Sequence, residues 1–235
     1  MLKKKLLIII SSILLITITC LIIYLNTYYH SDNVDNYLVS NEEVIVKKIN
    51  EGYFFDGKGN DIALIFYPGA KVEYISYAPL MNKLASNGID TFLIEMPFNI
   101  AFFDKNKAGK IINKYNYDNW YLSGHSLGGV VISLYAINNS NNIDGLILLA
   151  SYPTKKIPDN IKLLSIIGKD DGVLNLNKYN SSKKYFPTNT TELFIDGNHS
   201  NFGNYGMQKK DKQSSITKNE QQDETINEII KFIKD

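Results

Sequence analysis

A Gly-x-Ser-x-Gly pentapeptide at residues 124–128 constrains the fold of this chain more than any other stretch. A short apolar segment precedes it at residues 120–123, and a helix-like segment begins near Leu127, so we predict a strand, a sharp turn and a helix in succession. A serine in such a turn has strained backbone angles that press its neighbours against the strand and the helix, which explains the flanking glycines. Ser126 is therefore a candidate nucleophile, and the helix N-terminus beside it favours a developing oxyanion.

Short apolar segments alternate with helix-like segments from residue 62 onward. This alternation predicts an α/β fold with a mostly parallel central sheet and helices on both faces. In such sheets the ligand site lies beyond the carboxyl ends of the strands. The predicted strands are 44–49, 52–55, 62–67, 91–95, 120–123, 145–150, 161–167 and 191–195, and the predicted helices are 74–87, 105–115, 127–138 and 220–234.

Residues 6–25 contain no charged side chain, and a helix of that length spans about 30 Å, the thickness of a bilayer's hydrocarbon core. Three lysines precede this segment and none follows before Lys47, so the N-terminus is expected in the cytoplasm and the remainder outside the cell. We predict a basic tip at 1–5, a single-pass signal anchor in the cell membrane, a polar tether at 26–43 and a folded domain at 44–235. A cleaved signal peptide is the alternative, which would make the protein secreted.

Composition excludes several function classes. The net charge of +1 at pH 7 gives no reason to expect a nucleic-acid partner. Cys20 is the one cysteine and lies in the apolar segment, so neither a disulfide within the chain, a cysteine metal site nor a cysteine nucleophile is expected. The histidines number three, at 30, 125 and 199, so a catalytic base has few candidates. Among them, His30 is expected to be merely close to the membrane.

Seven motifs occur together in an order that resembles a bacterial α/β-hydrolase family, the "alpha/beta hydrolase fold-5" group related to dienelactone hydrolase. The resemblance extends over about residues 62–232 and implies the α/β-hydrolase fold. The chain departs from the family pattern after Gln208, where Lys209 to Lys212 replaces Gly-Asp-Gly, so the family does not predict the shape of that loop. The motifs are Tyr67 to Val72, Ala78 to Leu80, Met96 to Asn99, Gly124 to Gly129, Leu148 to Pro153, Gly168 to Gly172 and Gly197 to Gly206.

A serine hydroxyl needs a neighbouring base, and the base needs an orienting carboxylate. The chain order in this fold is serine, acid, histidine, and His199 is the one histidine after Ser126. The resemblance implies that Ser126, Asp171 and His199 are nucleophile, acid and base. Asp170 is the alternative acid, because the two aspartates are adjacent after the same strand. His125 is expected to have a packing role.

An oxyanion hole in this fold pairs the N–H after the nucleophile with one from the loop after the first central strand. We therefore predict Leu127 and Ala70 as donors, with Lys71 as the alternative to Ala70. The loop beside the candidate base is rich in glycine and aromatic residues. We expect Phe202 and Tyr205 to line the substrate pocket, together with Phe98, although an ordinary surface turn explains the same pattern.

These features predict a serine hydrolase that cleaves a carboxylic ester or thioester of a small-molecule acyl substrate through an acyl-enzyme. The resemblance implies no metal and no organic cofactor. A peptidase or an acyltransferase would use the same three residues, and a membrane-tethered, non-catalytic binding module would have the same fold. Acyl-chain length and oligomeric state have no signature in the sequence.

Overall fold

The computed structural model describes residues 2–59 and 61–234, and an eight-stranded sheet forms its centre. Its strands are β1 (Ile45–Ile49), β2 (Gly52–Asp56), β3 (Ile62–Tyr67), β4 (Asp90–Ile94), β5 (Asn119–His125), β6 (Gly145–Leu149), β7 (Lys162–Gly168) and β8 (Thr190–Ile195). They lie in the order β1-β2-β4-β3-β5-β6-β7-β8. The β1–β2 and β2–β4 pairs are antiparallel, and the other neighbouring pairs are parallel. The α/β architecture with a mostly parallel sheet is thus confirmed.

The helices agree with the sequence analysis except at three places, the first being the start of the helix predicted at 74–87, where Tyr74–Tyr77 form a 3₁₀ helix. The α-helices are α1 (Leu2–Asn26), α2 (Ala78–Ser86), α3 (Lys107–Ile112), α4 (Leu127–Asn138), α5 (Leu176–Ser182) and α6 (Lys218–Lys234). Helix α3 is shorter than predicted. Helix α5 was not predicted, because its sequence is polar and shows no apolar period; the Asn175 side chain caps its first turn by accepting from Lys178 N–H at 3.0 Å.

Two hydrophobic clusters cover the two faces of the sheet, as the alternation of strand residues requires. Leu64 and Phe66 of β3 belong to the cluster under α2 and α6. Ala63, Ile65 and Tyr67 point the other way, into the cluster under α3 and α4. Because both faces are covered, the inner parallel strands are mostly apolar and buried, whereas β8 at the edge of the sheet begins with exposed polar residues.

Helix α1 lies outside both clusters. Residues 3–26 have a mean hydropathy of 3.0 in their most apolar window, and none of that window is buried against the rest of the described chain. Length and composition make α1 a candidate membrane span, and a signal sequence meets the same description.

The segment after α1 packs on the folded domain, so the prediction of a free polar tether at 26–43 is wrong. Tyr29 N–H donates to the Lys71 carbonyl at 2.7 Å, and Asp32 N–H donates to the Asn204 carbonyl at 2.9 Å. Val34 is 3% exposed. The polar composition of the segment does not indicate this packing, because its apolar side chains are few. Those that pack against the cluster under α2 and α6 are Tyr29, Tyr37 and Leu38.

Candidate active site

Ser126 is the single residue between the end of β5 and the start of α4. Its φ of 51° and ψ of −123° lie where non-glycine residues are seldom found, which costs about 1–3 kcal/mol. Two hydrogen bonds hold this conformation: Ser126 N–H donates to the Leu149 carbonyl at 3.0 Å, and the Ser126 carbonyl accepts from Ser151 Oγ at 2.7 Å. The end of β6 and the residues after it therefore maintain the strained turn.

The glycines beside the serine are required by close backbone contacts. A Cβ atom at Gly128 would lie 2.3 Å from the carbonyl oxygens of Tyr67 and Pro68, and one at Gly124 would lie 2.6 Å from the nitrogen of Gly129. Cβ atoms do not approach backbone atoms so closely, so any side chain would displace either the strand or the helix. The contacts at Gly128 also place the loop after β3 directly against the first turn of α4.

Asp171 and His199 lie in the loops after β7 and β8 and form a buried hydrogen-bonded pair. His199 Nδ1 is 2.8 Å from Asp171 Oδ2. The other carboxylate oxygen accepts from the backbone N–H groups of Val173 at 2.8 Å and Leu174 at 2.7 Å. Because a carboxylate only accepts, Nδ1 of His199 is the donor, and its Nε2 is an acceptor.

The remaining ring nitrogen, His199 Nε2, is the atom that would receive a proton from a serine. It is buried and has no hydrogen-bond partner in the part of the chain that the structure describes. His199 and Ser126 line the same cavity, whose volume is about 230 Å³. Hydrogen bonds between catalytic groups are often long before a substrate binds, so this arrangement suits a general base next to a nucleophile.

Asp170 is directed away from the histidine. Its Oδ2 accepts from both the N–H and the Oγ of Ser215, each at 2.8 Å. These two hydrogen bonds hold the pKa of Asp170 below its usual value. Of the two adjacent aspartates, the structure therefore brings Asp171 to His199 and gives Asp170 a bond to a distant loop.

Asp211 connects the loop that carries Asp171 (the acid loop) with the loop that carries His199 (the histidine loop), and it is not among the predicted site residues. One carboxylate oxygen accepts from Gly172 N–H at 3.1 Å and His199 N–H at 3.3 Å. The other accepts from Ser200 N–H at 2.8 Å and Ser200 Oγ at 2.6 Å. Asp211 lies in the segment that departs from the family pattern, where a lone acidic residue among lysines was the available signal.

Within residues 2–59 and 61–234, one N–H group in the loop after β3 has no hydrogen-bond acceptor. Gly69 N–H donates to Tyr77 Oη at 3.2 Å, and Lys71 N–H donates to the Asn99 carbonyl at 2.8 Å. Lys71 N–H is therefore already bonded. Ala70 N–H remains, as does the N–H of Leu127, which has no intrahelical acceptor because it is the first residue of α4.

His125 packs behind the candidate base. Its Nδ1 lies 2.8 Å from Tyr77 Oη, and its ring centroid is 4.5 Å from that of His199. The same tyrosine oxygen also accepts from Gly69 N–H, so Tyr77 links the loop after β3 to His125. Burial, and secondly the neighbouring His199, hold the pKa of His125 well below its usual value, so its ring is neutral at physiological pH.

The walls of the cavity differ from the predicted ones. Phe202 and Tyr205 are almost completely buried under α2, and Phe98 is half exposed on the surface; none of the three lines the cavity that holds Ser126 and His199. The prediction for Phe202 and Tyr205 is wrong because aromatic residues are equally common in a buried core and in the wall of a pocket. The walls are Leu127, Val130, Ala150, Ser151, Tyr152, Val173, Leu174, Asn175 and Lys178.

A second cavity of about 330 Å³ adjoins the first and shares Tyr152 and Lys178 with it. Tyr152 lies in the loop after β6, and Lys178 lies in α5, the helix that was not predicted.

No group of three or more histidine, cysteine, aspartate or glutamate side chains suited to a metal ion occurs within residues 2–59 and 61–234.

A family model for the alpha/beta hydrolase family matches residues 63–223. The match begins in β3 and ends in α6, so it includes the loops that carry Ser126, Asp171 and His199. No curated protein matches the chain.

Solved structures with a similar fold include proteins from mouse, Thermoplasma acidophilum and Sphingobium faniae. Alpha/beta hydrolase domain-containing protein 10 from mouse has a TM-score of 0.59 at 13% identity, over 82% of this chain and 98% of the mouse chain. A predicted CIB-like hydrolase from Thermoplasma acidophilum has a TM-score of 0.56 at 14% identity, over 79% of this chain and 98% of the other chain. A pyrethroid hydrolase from Sphingobium faniae has a TM-score of 0.51 at 15% identity, over 62% of this chain and 92% of that hydrolase. At these identities the similarity concerns the fold alone.

Proposed function

The chain belongs to the alpha/beta hydrolase family, and on that premise we propose that it is a serine hydrolase that cleaves a carboxylic ester or thioester through an acyl-enzyme. Family membership supports hydrolysis; the ester bond and the roles of Ser126, Asp171 and His199 are the proposal. One observation carries it. The Nδ1 of His199 is hydrogen-bonded to Asp171 at 2.8 Å. Its Nε2 has no partner among the described residues and belongs to a side chain that lines the same cavity as the strained serine.

In the acylation step, Ser126 Oγ attacks the carbonyl carbon while its proton passes to His199 Nε2. Asp171 stabilises the imidazolium that results. The N–H groups of Leu127 and Ala70 donate to the oxygen on which negative charge develops. Collapse of the tetrahedral intermediate transfers the proton from Nε2 to the leaving alcohol or thiol, and the acyl group remains on the serine.

In the deacylation step, His199 Nε2 accepts a proton from a water molecule, whose oxygen attacks the acyl carbon. The same two N–H groups stabilise the second oxyanion. The proton then returns from Nε2 to Ser126 Oγ, which releases the carboxylic acid. An acceptor other than water would give acyl transfer, whose product is a new ester or amide and not the free acid.

The proposal includes the location of the enzyme. Helix α1 anchors the chain in the cell membrane, with the N-terminus in the cytoplasm and the folded domain outside. The length of α1 and its unburied apolar surface support this location. Mass spectrometry of the mature protein tests it: an intact chain in the membrane fraction is expected, and a chain in the medium that begins after residue 26 would contradict it.

The enzymatic proposal is tested by labelling the full-length protein, in detergent micelles, with a fluorophosphonate that reacts with activated serines. We expect labelling of the wild type and none of Ser126→Ala or His199→Ala. Ser86→Ala is the matched control, because Ser86 is exposed at the end of α2, and it should be labelled like the wild type.

Two results would count against the proposal. A folded wild-type protein that is not labelled would favour the non-catalytic binding module. Equal labelling of wild type and Ser126→Ala would exclude Ser126 as the nucleophile. If labelling behaves as expected, release of free acid from short-chain acyl esters, and not from peptides, distinguishes an esterase from a peptidase.

A further inference from the structure

The C-terminal end of α1 is attached to the loop that supplies Ala70. Helix α1 ends at Asn26, and Tyr29 N–H then donates to the Lys71 carbonyl at 2.7 Å. The Lys71 ammonium donates to the carbonyl of Leu25 at 3.2 Å and also to that of Tyr24, whose ring centroid is 4.6 Å away. A cation at the last carbonyls of a helix is favourable. The end of α1 is therefore held at the carboxyl edge of the sheet.

Three exposed phenylalanines project from the loop after β4, at the same edge. Phe98, Phe102 and Phe103 are 50%, 52% and 57% exposed, and we refer to them as the phenylalanine patch. The rings of Phe98 and Phe103 pack edge to face with centroids 5.7 Å apart. Phe98 and Asn99 have φ values of 54° and 56°, a conformation that is strained for non-glycine residues. Strained backbone that displays aromatic rings to solvent indicates a surface that contacts something apolar.

The phenylalanine patch lies beside both the end of α1 and the candidate site. Lys71 N–H donates to the Asn99 carbonyl at 2.8 Å, so the patch loop and the loop attached to α1 are directly bonded. The turn at residues 101–104, which carries Phe102 and Phe103, contacts α4, the helix that begins after Ser126. The patch, the end of the anchor and the nucleophile therefore share one edge of the sheet.

Lysines accompany these aromatic residues. Lys105 follows the patch and is exposed, and Lys209 and Lys210 are exposed near the end of α1, where Lys209 N–H donates to Tyr29 Oη at 3.0 Å. Aromatic rings flanked by lysines are the composition of surfaces that lie at a lipid headgroup layer.

From this geometry, and on the basis of the proposed anchor and hydrolase, we infer that the carboxyl edge of the sheet rests on the bilayer, with the phenylalanine patch inserted among the lipids. The bilayer is the occupant because α1 itself places a membrane at that edge, and the patch lies next to the point where α1 leaves it. The Ser126 cavity then receives acyl esters that reside in the membrane, such as acyl lipids, in preference to esters dissolved in water.

Insertion of the patch is tested with the full-length protein in unilamellar phosphatidylcholine vesicles, made with or without bromine on the acyl chains. Bromine quenches a tryptophan that reaches the acyl region. The Phe103→Trp variant should lose about half of the emission of its added tryptophan in brominated vesicles. The native Trp120 is 6% exposed in the domain core and provides the same background in every variant.

Ile45→Trp is the matched control. Ile45 is 51% exposed, like the phenylalanines, but β1 runs in the same direction as β4, so its first residue lies at the amino edge of the sheet. Bromine should not quench a tryptophan there. Emission at position 103 that is unquenched, or equal quenching at both positions, would overturn the docking inference whether or not the protein is an enzyme.

The substrate class is tested by hydrolysis. The double variant Phe102→Ser, Phe103→Ser should hydrolyse a long-chain acyl ester embedded in vesicles roughly tenfold more slowly than the wild type, and a water-soluble short-chain ester at the same rate. Ile45→Ser is the control and should match the wild type on both substrates. Equal rates of double variant and wild type on the embedded ester, or an equal loss on both esters, would overturn the substrate assignment. A wild type that hydrolyses neither ester would instead refute the proposed function, and the fluorescence result would still stand.

Discussion

The loops at the carboxyl edge form two groups that differ in burial and bonding. The triad loops, after β5, β7 and β8, carry the candidate catalytic residues, and the Asp171–His199 pair in them is almost completely buried. The rim loops, after β3 and β4, carry Ala70, the phenylalanine patch and three non-glycine residues with positive φ. The rim is also attached to α1 through Lys71. One half of the edge is thus part of the core, and the other half is surface.

This difference indicates that the two groups of loops meet separate functional requirements, proton transfer in one and substrate access in the other. Proton transfer needs groups held to within about 0.5 Å, which packed and hydrogen-bonded loops provide. Access to a substrate needs a surface that matches where the substrate resides. Changes in the triad loops should therefore reduce turnover by orders of magnitude. Side-chain changes in the rim loops that leave the Ala70 N–H in place should have small effects on soluble substrates.

The largest difference is expected between the two adjacent aspartates of one triad loop. Asp171→Asn should reduce the turnover of a soluble ester by about 10³-fold to 10⁴-fold, because the amide no longer stabilises the imidazolium of His199. Asp170→Asn should change it by less than about twofold, because Asp170 bonds to Ser215 and not to His199. Steady-state hydrolysis measures both. Similar losses in the two variants would contradict the assignment of Asp171.

A smaller loss is expected at Asp211, which accepts hydrogen bonds from the acid and histidine loops and does not line the Ser126 cavity. Asp211→Asn should lower kcat about 10-fold to 100-fold and leave KM within about twofold, because backbone donors of Gly172, His199 and Ser200 lose a charged acceptor. Asp223→Asn is the control, since Asp223 is exposed on α6 and paired with Lys83. An unchanged kcat would show that the triad loops hold their geometry without Asp211.

The pH dependence of stability should report the buried His125. Its pKa in the folded state is held below the usual value, so below about pH 6.5 the unfolded chain binds a proton that the folded chain does not. The free energy of unfolding should therefore fall by up to about 1.4 kcal/mol for each pH unit below that value, as measured by denaturant unfolding. His125→Gln should make this slope shallower, whereas His30→Gln, at an exposed position, should not. Identical slopes in wild type and His125→Gln would refute the burial argument.

The smallest effect is expected in the rim loops. Lys71→Met keeps the side-chain stem and removes the ammonium that contacts the end of α1, so phosphonate labelling in detergent should slow by no more than about threefold. Lys155→Met, at another exposed lysine, is the control. A loss of a hundredfold or more would mean that the contact with α1 positions the oxyanion donors, and the separation of rim loops from triad loops would fail.

The sequence was sufficient for local features. The order of strands and helices follows from apolar runs and periodicity, and the turn at Ser126 follows from glycines whose missing side chains leave room for backbone contacts. The unburied apolar helix α1 is visible in composition alone. Each of these features leaves its signal in adjacent residues of the sequence, even though the backbone contacts at Gly128 are with the distant residues Tyr67 and Pro68.

Only the tertiary structure decided features that depend on distant residues. It determined which aspartate contacts His199, because adjacent side chains in a loop point in different directions and accept from different partners. It buried Phe202 and Tyr205 in the core, and it packed the segment at 26–43 on the domain. Composition cannot distinguish a core from a pocket, or a free tether from a bound one. That distinction is a matter of which surfaces meet when the chain folds.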